Sequence, residues 1–129
     1  MNSKEEICRV FNDKLNEFVS DLVAINNDPG LLAFKTSLRM IVMVCEKKPI
    51  RLFKKHVIDL YGVQIIERDE NFFLSKDDYQ EECDDSFDIS NSLIGKIKND
   101  WKDLSSTNKD IIWKYLKLLK ILGEKFANF

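Results

Sequence analysis

The stretch SSTNKDIIWKYLKLLKILGEKF, residues 105–126, decides the fold. Ile111, Ile112, Tyr115, Leu116, Leu118, Leu119, Leu122 and Phe126 recur at helical spacing and spread over an unusually wide arc. A helix with so wide an apolar face contacts two neighbours rather than one. The segment is therefore predicted as a central helix of a bundle, with Lys109, Lys114, Lys117, Lys120 and Lys125 reaching water along the remaining arc. Ser105, Ser106 and Thr107 compete as its N-cap, because each can offer a side-chain oxygen to the free N–H groups of a first turn.

Working outward, the same periodicity predicts four further helices. Ser3-x-x-Glu6 is a capping-box pattern, followed by Ile7, Phe11, Leu15, Phe18, Leu22 and Ile25 at three- and four-residue intervals. Asn26-Asn27-Asp28-Pro29 breaks that helix, with Asp28 as the next N-cap and Pro29 at its first position. The second stripe is Leu31, Phe34, Leu38, Ile41, Val42 and Cys45, and the short turn predicts a helical hairpin. Pro49 opens a third helix with Ile50, Phe53, Val57 and Leu60 inward, and Gly62 is expected to end it in a left-handed conformation. Leu93, Ile97, Trp101 and Leu104 mark a fourth, capped by Asp88, Ser90 or Ser92. Between the third and fourth, Val63 to Leu74 reads as an extended segment anchored by its apolar side chains, or as a β-hairpin, and Tyr79 to Ser92 as a surface loop. The expectation is one all-α domain over 1–129: three helices in 1–62, an irregular acidic connector over 63–88, and two helices in 89–129.

The connector also divides the charge. Glu67 to Asp88 carries ten acidic and two basic residues, whereas Met1 to Ile66 sums to +2 and Ile89 to Phe129 to +4. Such a block can steer a partner or simply solvate a loop. At 129 residues, with 44% hydrophobic and 33% charged residues and few Gly or Pro, the chain can bury a genuine core without staples. Its longest apolar run, Met40 to Cys45, is far short of the ~20 residues that span a bilayer, so no membrane insertion is expected. No hydrophobic region follows the charged amino terminus, and the expected setting is intracellular, in cytoplasm or nucleus. Cys8, Cys45 and Cys83 are too widely spaced for a disulfide framework or a metal half-site. Cys8 and Cys45 fall in apolar patterns and read as buried thiols, while the acids around Cys83 make it a poor nucleophile.

Two stretches carry a resemblance. Asp69-Glu70-Asn71-Phe72-Phe73-Leu74 followed by Asp78-Tyr79, and Trp101-x-x-Leu104-Ser105-x-x-Asn108-Lys109-x-x-Ile112-Trp113-x-Tyr115-Leu116, resemble small, uncharacterised helical proteins encoded by large double-stranded DNA viruses of algae and protists. The likeness extends weakly to Phe11 to Phe18 and departs after the third helix, where Leu60-Tyr61-Gly62 stands in place of a Pro-Tyr pair. It implies an infection-related setting inside a host cell, or a place in the virion, and carries no active site with it.

The remaining residues argue against most chemistry. His56 is the single histidine, which excludes every two-histidine metal site, and it reads as a surface residue. The run Asp77 to Asp85 lacks the alternating ligands and central Gly of a calcium loop, and the four Gly are too scattered for a phosphate-binding loop. The acids crowd one connector rather than facing each other across a cleft, so paired-carboxylate hydrolysis is unsupported. No catalytic residues and no cofactor are assigned. The candidate partner-binding groups are the basic cluster Lys47, Lys48, Arg51, Lys54 and Lys55 and the acidic cluster Glu81, Glu82, Asp84 and Asp85. Phe72, Phe73, Tyr79 and Phe87 would form a partner patch if exposed, although Phe72 or Phe73 is expected to pin the connector to the bundle. Trp101 and Trp113 read as packing residues, Trp113 less securely because it lies beside the main face of its helix. The leading expectation is a non-catalytic interaction or accessory protein that binds a protein partner or itself. Nucleic-acid binding through the basic third helix is the alternative, against which stand an acidic pI of 5.5 and no accompanying stacking pattern.

Overall fold

The computed structural model describes residues 3–26, 29–75 and 89–129, and they are helical with no strand among them. Helix α1 spans Lys4–Asn26 and α2 Pro29–Val44. Helix α3 runs over 48–67 in three consecutive pieces: α-helical Lys48–Phe53, a π-helical turn Lys54–Ile58, and α-helical Asp59–Glu67. A short α4 follows at Glu70–Ser75. Helix α5 is Ile89–Asp100, closed by a 3-10 turn at Trp101–Asp103, and α6 is Ser106–Ala127. The protein is an all-α bundle.

The starts follow the capping chemistry. Ser3 Oγ accepts the Glu6 N–H at 3.1 Å, and Pro29 begins α2. Of the three competing caps on α6, Ser105 does the work, its Oγ accepting the Asn108 N–H at 3.1 Å. Asp28 and Asp88 lie outside the described residues.

Helix α6 is central, as its wide face requires: it packs along α1 and also against α3. Phe11, Phe18, Phe53, Ile112 and Leu119 fill the middle of the core. Phe11 meets Phe53 edge-on at 5.6 Å between ring centroids, and Phe18 stacks on Tyr115 at 4.9 Å. The Tyr115 hydroxyl, at the wet edge of that stack, donates to Asp21 Oδ2 at 2.6 Å.

Helix α3 departs most from the sequence reading. The Asp59 N–H donates to the Lys54 carbonyl, an i to i−5 bond that inserts one residue into the helical turn. The phase of the buried stripe shifts. Val57 and Ile58 both point inward and Tyr61 follows, whereas Leu60, expected inside, is exposed. His56, expected at the surface, is 4% exposed. It is carried inward by the same π turn, which widens the buried arc.

Gly62 does not end the helix, and no glycine among the described residues has positive φ. The chain stays helical to Glu67 because nothing between 63 and 67 breaks it; the left-handed residue is Arg68, at φ 53°. Asp69 N donates to the Gln64 carbonyl at 2.9 Å and Arg68 N to Ile65 at 3.2 Å, the two bonds of a Schellman ending. Asp69 then caps α4, its Oδ1 accepting the Phe72 N–H at 3.1 Å. Residues 63–75 are thus neither hairpin, extended segment nor irregular connector; local capping converts them into a helix end and a new helix. The remainder of the acidic stretch, 76–88, is outside the described residues, as are Tyr79, Cys83 and Phe87.

Helix α4 is pinned by aromatic contact. Phe73 is buried and Phe72 half-buried, with ring centroids 5.8 Å from Tyr61 in both cases, and Phe73 continues to Trp113 at 5.9 Å. Trp113 meets Trp101 edge-on at 5.5 Å, so it is core after all. Its position beside the main face of α6 is what lets it reach α4 and the end of α5.

Two glycines report how closely α3 and α6 approach. A Cβ on Gly123 would overlap the Ile58 Cδ1, whereas one on Gly62 would come no closer than 3.1 Å to the Lys120 Cε, in an unbranched side chain whose Nζ donates to Glu124. Gly123→Ala should therefore cost about 1–3 kcal/mol by overpacking. Gly62→Ala should be neutral or stabilising by up to ~1 kcal/mol through helix propensity. Adding Ile58→Val to Gly123→Ala removes the clashing methyl, so the pair should cost clearly less than the sum of the singles in denaturant unfolding. The Tyr115 hydroxyl is pushed up to about 12, first by its bond to Asp21 and then by burial. The folded state keeps that proton longer than the unfolded chain, whose phenol titrates near 10; the contribution is intact below pH 10 and lost as pH rises toward about 12. Melting curves of Tyr115→Phe should lack that component of the alkaline destabilisation.

Candidate protein-docking surface

Residues 29–58 contain seven basic residues and one acidic residue, Glu46. Helix α2, which opens this stretch, has no acidic residue and carries Lys35, Thr36, Ser37 and Arg39 among apolar side chains. Leu31, Phe34 and Leu38 face the core, as predicted. The opposite side is also apolar: Met40 is 63% exposed, Met43 86% and Val44 89%, with Leu32 further along. Exposed apolar side chains grouped on one helix face are a candidate contact surface.

The turn 45–47 joins that face to the basic stripe of α3. Cys45, expected to be buried, is exposed because α2 ends at Val44 and leaves it in the turn. The turn is tied down from below. Cys45 N donates to the Ile41 carbonyl at 2.8 Å, and Lys48 N to Cys45 at 3.1 Å. From α1, Asn12 Nδ2 donates to the Glu46 carbonyl at 2.9 Å and the Cys8 thiol donates to the same oxygen at 3.2 Å. Burial, then the Glu46 charge, pushes the Cys8 thiol up, which keeps it a protonated donor. Arg9 stands 3.8 Å from the Glu46 carboxylate and offsets the single negative charge.

The five predicted basic residues do not act alike. Lys48, Arg51 and Lys55 are exposed and follow one another at three- and four-residue intervals along α3. Lys47 is half-buried at the start of the helix. Lys54 turns aside, held by Asp59 in an ion pair across the π turn. The acidic candidates Glu81, Glu82, Asp84 and Asp85 lie outside the described residues. The sequence reading missed the apolar half of this surface; Met40 and Met43 could have signalled it, since they sit opposite Leu31, Phe34 and Leu38 on the helical wheel.

A second apolar stripe lies on the last turns of α3, where Leu60 is 49% exposed, Val63 64% and Ile66 49%. Exposed acids, Asp59 and Glu67, bracket it one turn on either side of Val63. Other hollows have less to offer. A groove of about 290 Å³ separates α1 from α2 beside Asn12, Asn16 and Arg39, and a cavity of about 30 Å³ lies among Phe73, Ile97, Trp101 and Trp113. The latter has room for about one water. No group of three or more His, Cys, Asp or Glu placed to hold a metal occurs among the described residues, and no described helix is long and apolar enough to cross a membrane.

No family model, curated protein or solved structure matches this chain. Its geometry makes a simple thiol prediction: Cys45 should be alkylated rapidly in the folded protein, and Cys8 only on unfolding, as read by mass spectrometry across a denaturant series.

Proposed function

We propose that this chain is a non-catalytic protein-interaction module whose docking surface is the α2–α3 corner, working inside a host cell in the infection-related setting that the viral resemblance implies. The observation that carries the reading is the exposed Met40, Met43 and Val44 face, which the turn 45–47 connects along the chain to the exposed Lys48, Arg51 and Lys55. Methionine side chains adapt to varied apolar partners, and lysine and arginine at the rim select for acidic ones. The ties from Asn12 and Cys8 to Glu46 preorganise the turn, which lowers the entropic cost of binding. The partner surface that fits is apolar at its centre and acidic at its edge, such as an amphipathic helix bearing Asp and Glu.

The runner-up, nucleic-acid binding, draws on the same basic stripe but has no use for the apolar face, and it loses Lys54 to Asp59. Substitution separates the two. An acidic amphipathic peptide, followed by fluorescence anisotropy, should bind the wild type and lose affinity about tenfold or more with Met43→Ser and Val44→Ser together, since each buried side chain carries ~1.5–3 kcal/mol. It should weaken again with Lys48→Glu, Arg51→Glu and Lys55→Glu. A duplex oligonucleotide that binds with steep salt dependence, ignores the Ser substitutions and is lost on charge reversal would give the answer to the nucleic-acid reading instead.

A further inference from the structure

The groove between α1 and α2 offers little to a protein surface, but it is built on the scale of a small molecule. Its volume is about 290 Å³, at the lower end for ligand pockets. Asn12, Asp13 and Asn16 line its α1 wall, and Leu38, Arg39, Val42 and Met43 its α2 wall. On the first wall, Asn12 Oδ1 and Asn16 Oδ1 are buried and accept no hydrogen bond. A buried acceptor without a donor has given up its hydration for nothing, and such atoms are rare enough in folded proteins that each asks for a cause. At Asn12 the place of the oxygen is fixed, because exchanging O and N would break the bond from Nδ2 to the Glu46 carbonyl at 2.9 Å. Arg39 across the groove does not supply the missing donor: it is exposed, and both oxygens stay without a partner.

We propose that this groove binds a small zwitterion with an apolar body, the chemistry of a free aliphatic α-amino acid. Asn12 and Asn16 stand one turn apart on α1, at about 5–6 Å between Cβ atoms, so the three N–H groups of one ammonium can serve both oxygens. Asp13, exposed on the same wall, adds negative charge beside that ammonium. Arg39 on the other wall presents a guanidinium fork that matches a carboxylate, and it counts against a ligand that is only a cation. Leu38, Val42 and Met43 supply apolar surface for the side chain. The two walls thus ask for the two halves of one ligand. Arg39 and Met43 are exposed, and side chains of that kind change rotamer fast enough to part and admit it. Met43 also borders the α2–α3 corner, but Asn16 and Arg39 are no part of that surface, so the groove and the docking reading stand or fall separately.

The test is a titration of the full chain with L-leucine, followed by calorimetry and by the side-chain amide resonances of Asn12 and Asn16. Saturable binding with shifts at both amides is the expected result. Isocaproate, which is the same skeleton without the ammonium, and L-leucinamide, which lacks the carboxylate, should each bind about tenfold or more weakly, since each forgoes a charge-assisted set of hydrogen bonds. Asn16→Leu removes one of the two acceptors and Arg39→Gln the partner of the carboxylate, and each should weaken L-leucine by about the same factor. Arg39 is exposed, so its variant carries the test alone if Asn16→Leu fails to fold. A wild type that shows no saturable binding of L-leucine, an affinity unchanged by either substitution, or equal affinity for L-leucine, isocaproate and L-leucinamide overturns the proposal.

Discussion

The contact between Ile58 and Gly123 sets the geometry on which the rest of this bundle depends. Helix α6 is the central element, and α3 can lie close against it only where α6 lacks a side chain. The Ile58 side chain occupies that gap, at the end of the π turn over Lys54–Ile58. The extra residue in the turn brings Val57 and Ile58 inward together and rotates everything beyond them. Tyr61 then faces the core and receives the rings of Phe72 and Phe73 from α4, which pass the packing on to Trp113 and Trp101. A π insertion gives up ideal helical hydrogen bonding, and the aromatic layer it orients is what offsets that loss.

The same rotation produces the exposed stripe. With Tyr61 and Ile65 turned inward, Leu60, Val63 and Ile66 must face out, and no local rearrangement hides them without undoing the Tyr61 layer. The other exposed face arises differently. Helix α2 lies at the edge of the bundle, where Leu31, Phe34 and Leu38 satisfy its inner side and nothing described covers Met40, Met43 and Val44. Exposed apolar groups of this size add nothing to the stability of an isolated chain and invite association.

The turn at the α2–α3 corner is held from α1. The Glu46 carbonyl accepts from both Asn12 and Cys8, so the first helix holds the turn that presents the basic stripe. Burial, and then the Glu46 charge, hold Cys8 in its protonated form, so that it remains a donor to that carbonyl. Lys54 shows the other side of the same economy: it belongs to the basic cluster by sequence, but its ion pair with Asp59 ties it to the π turn.

The helical class, the central position of residues 105–126, the Ser3 and Ser105 caps and most core positions were legible in the sequence, because capping and apolar period are local properties repeated over many residues. Phe72 and Phe73 could be expected to anchor their segment because two adjacent rings bury more than a polar stretch can otherwise offer. What failed were readings that assumed an uninterrupted helical period or a conventional stop signal. Leu60 and His56 exchanged places with expectation because one inserted residue changes the phase of all that follow. Gly62 was read as a terminus, but it lies buried within the helix beneath the Lys120 side chain of α6, and the left-handed position fell to Arg68, whose side chain reaches Asp110. The basic half of the proposed docking surface could be read as a cluster of like residues in sequence; for the apolar half the sequence offered only the place of Met40 and Met43 opposite Leu31, Phe34 and Leu38, since whether they face the core or water depends on which helices stand beside α2. Periodicity along the chain determined which elements form, and only tertiary packing decided which of their faces is left without a neighbour, because that is a property of pairs of helices and not of any one of them.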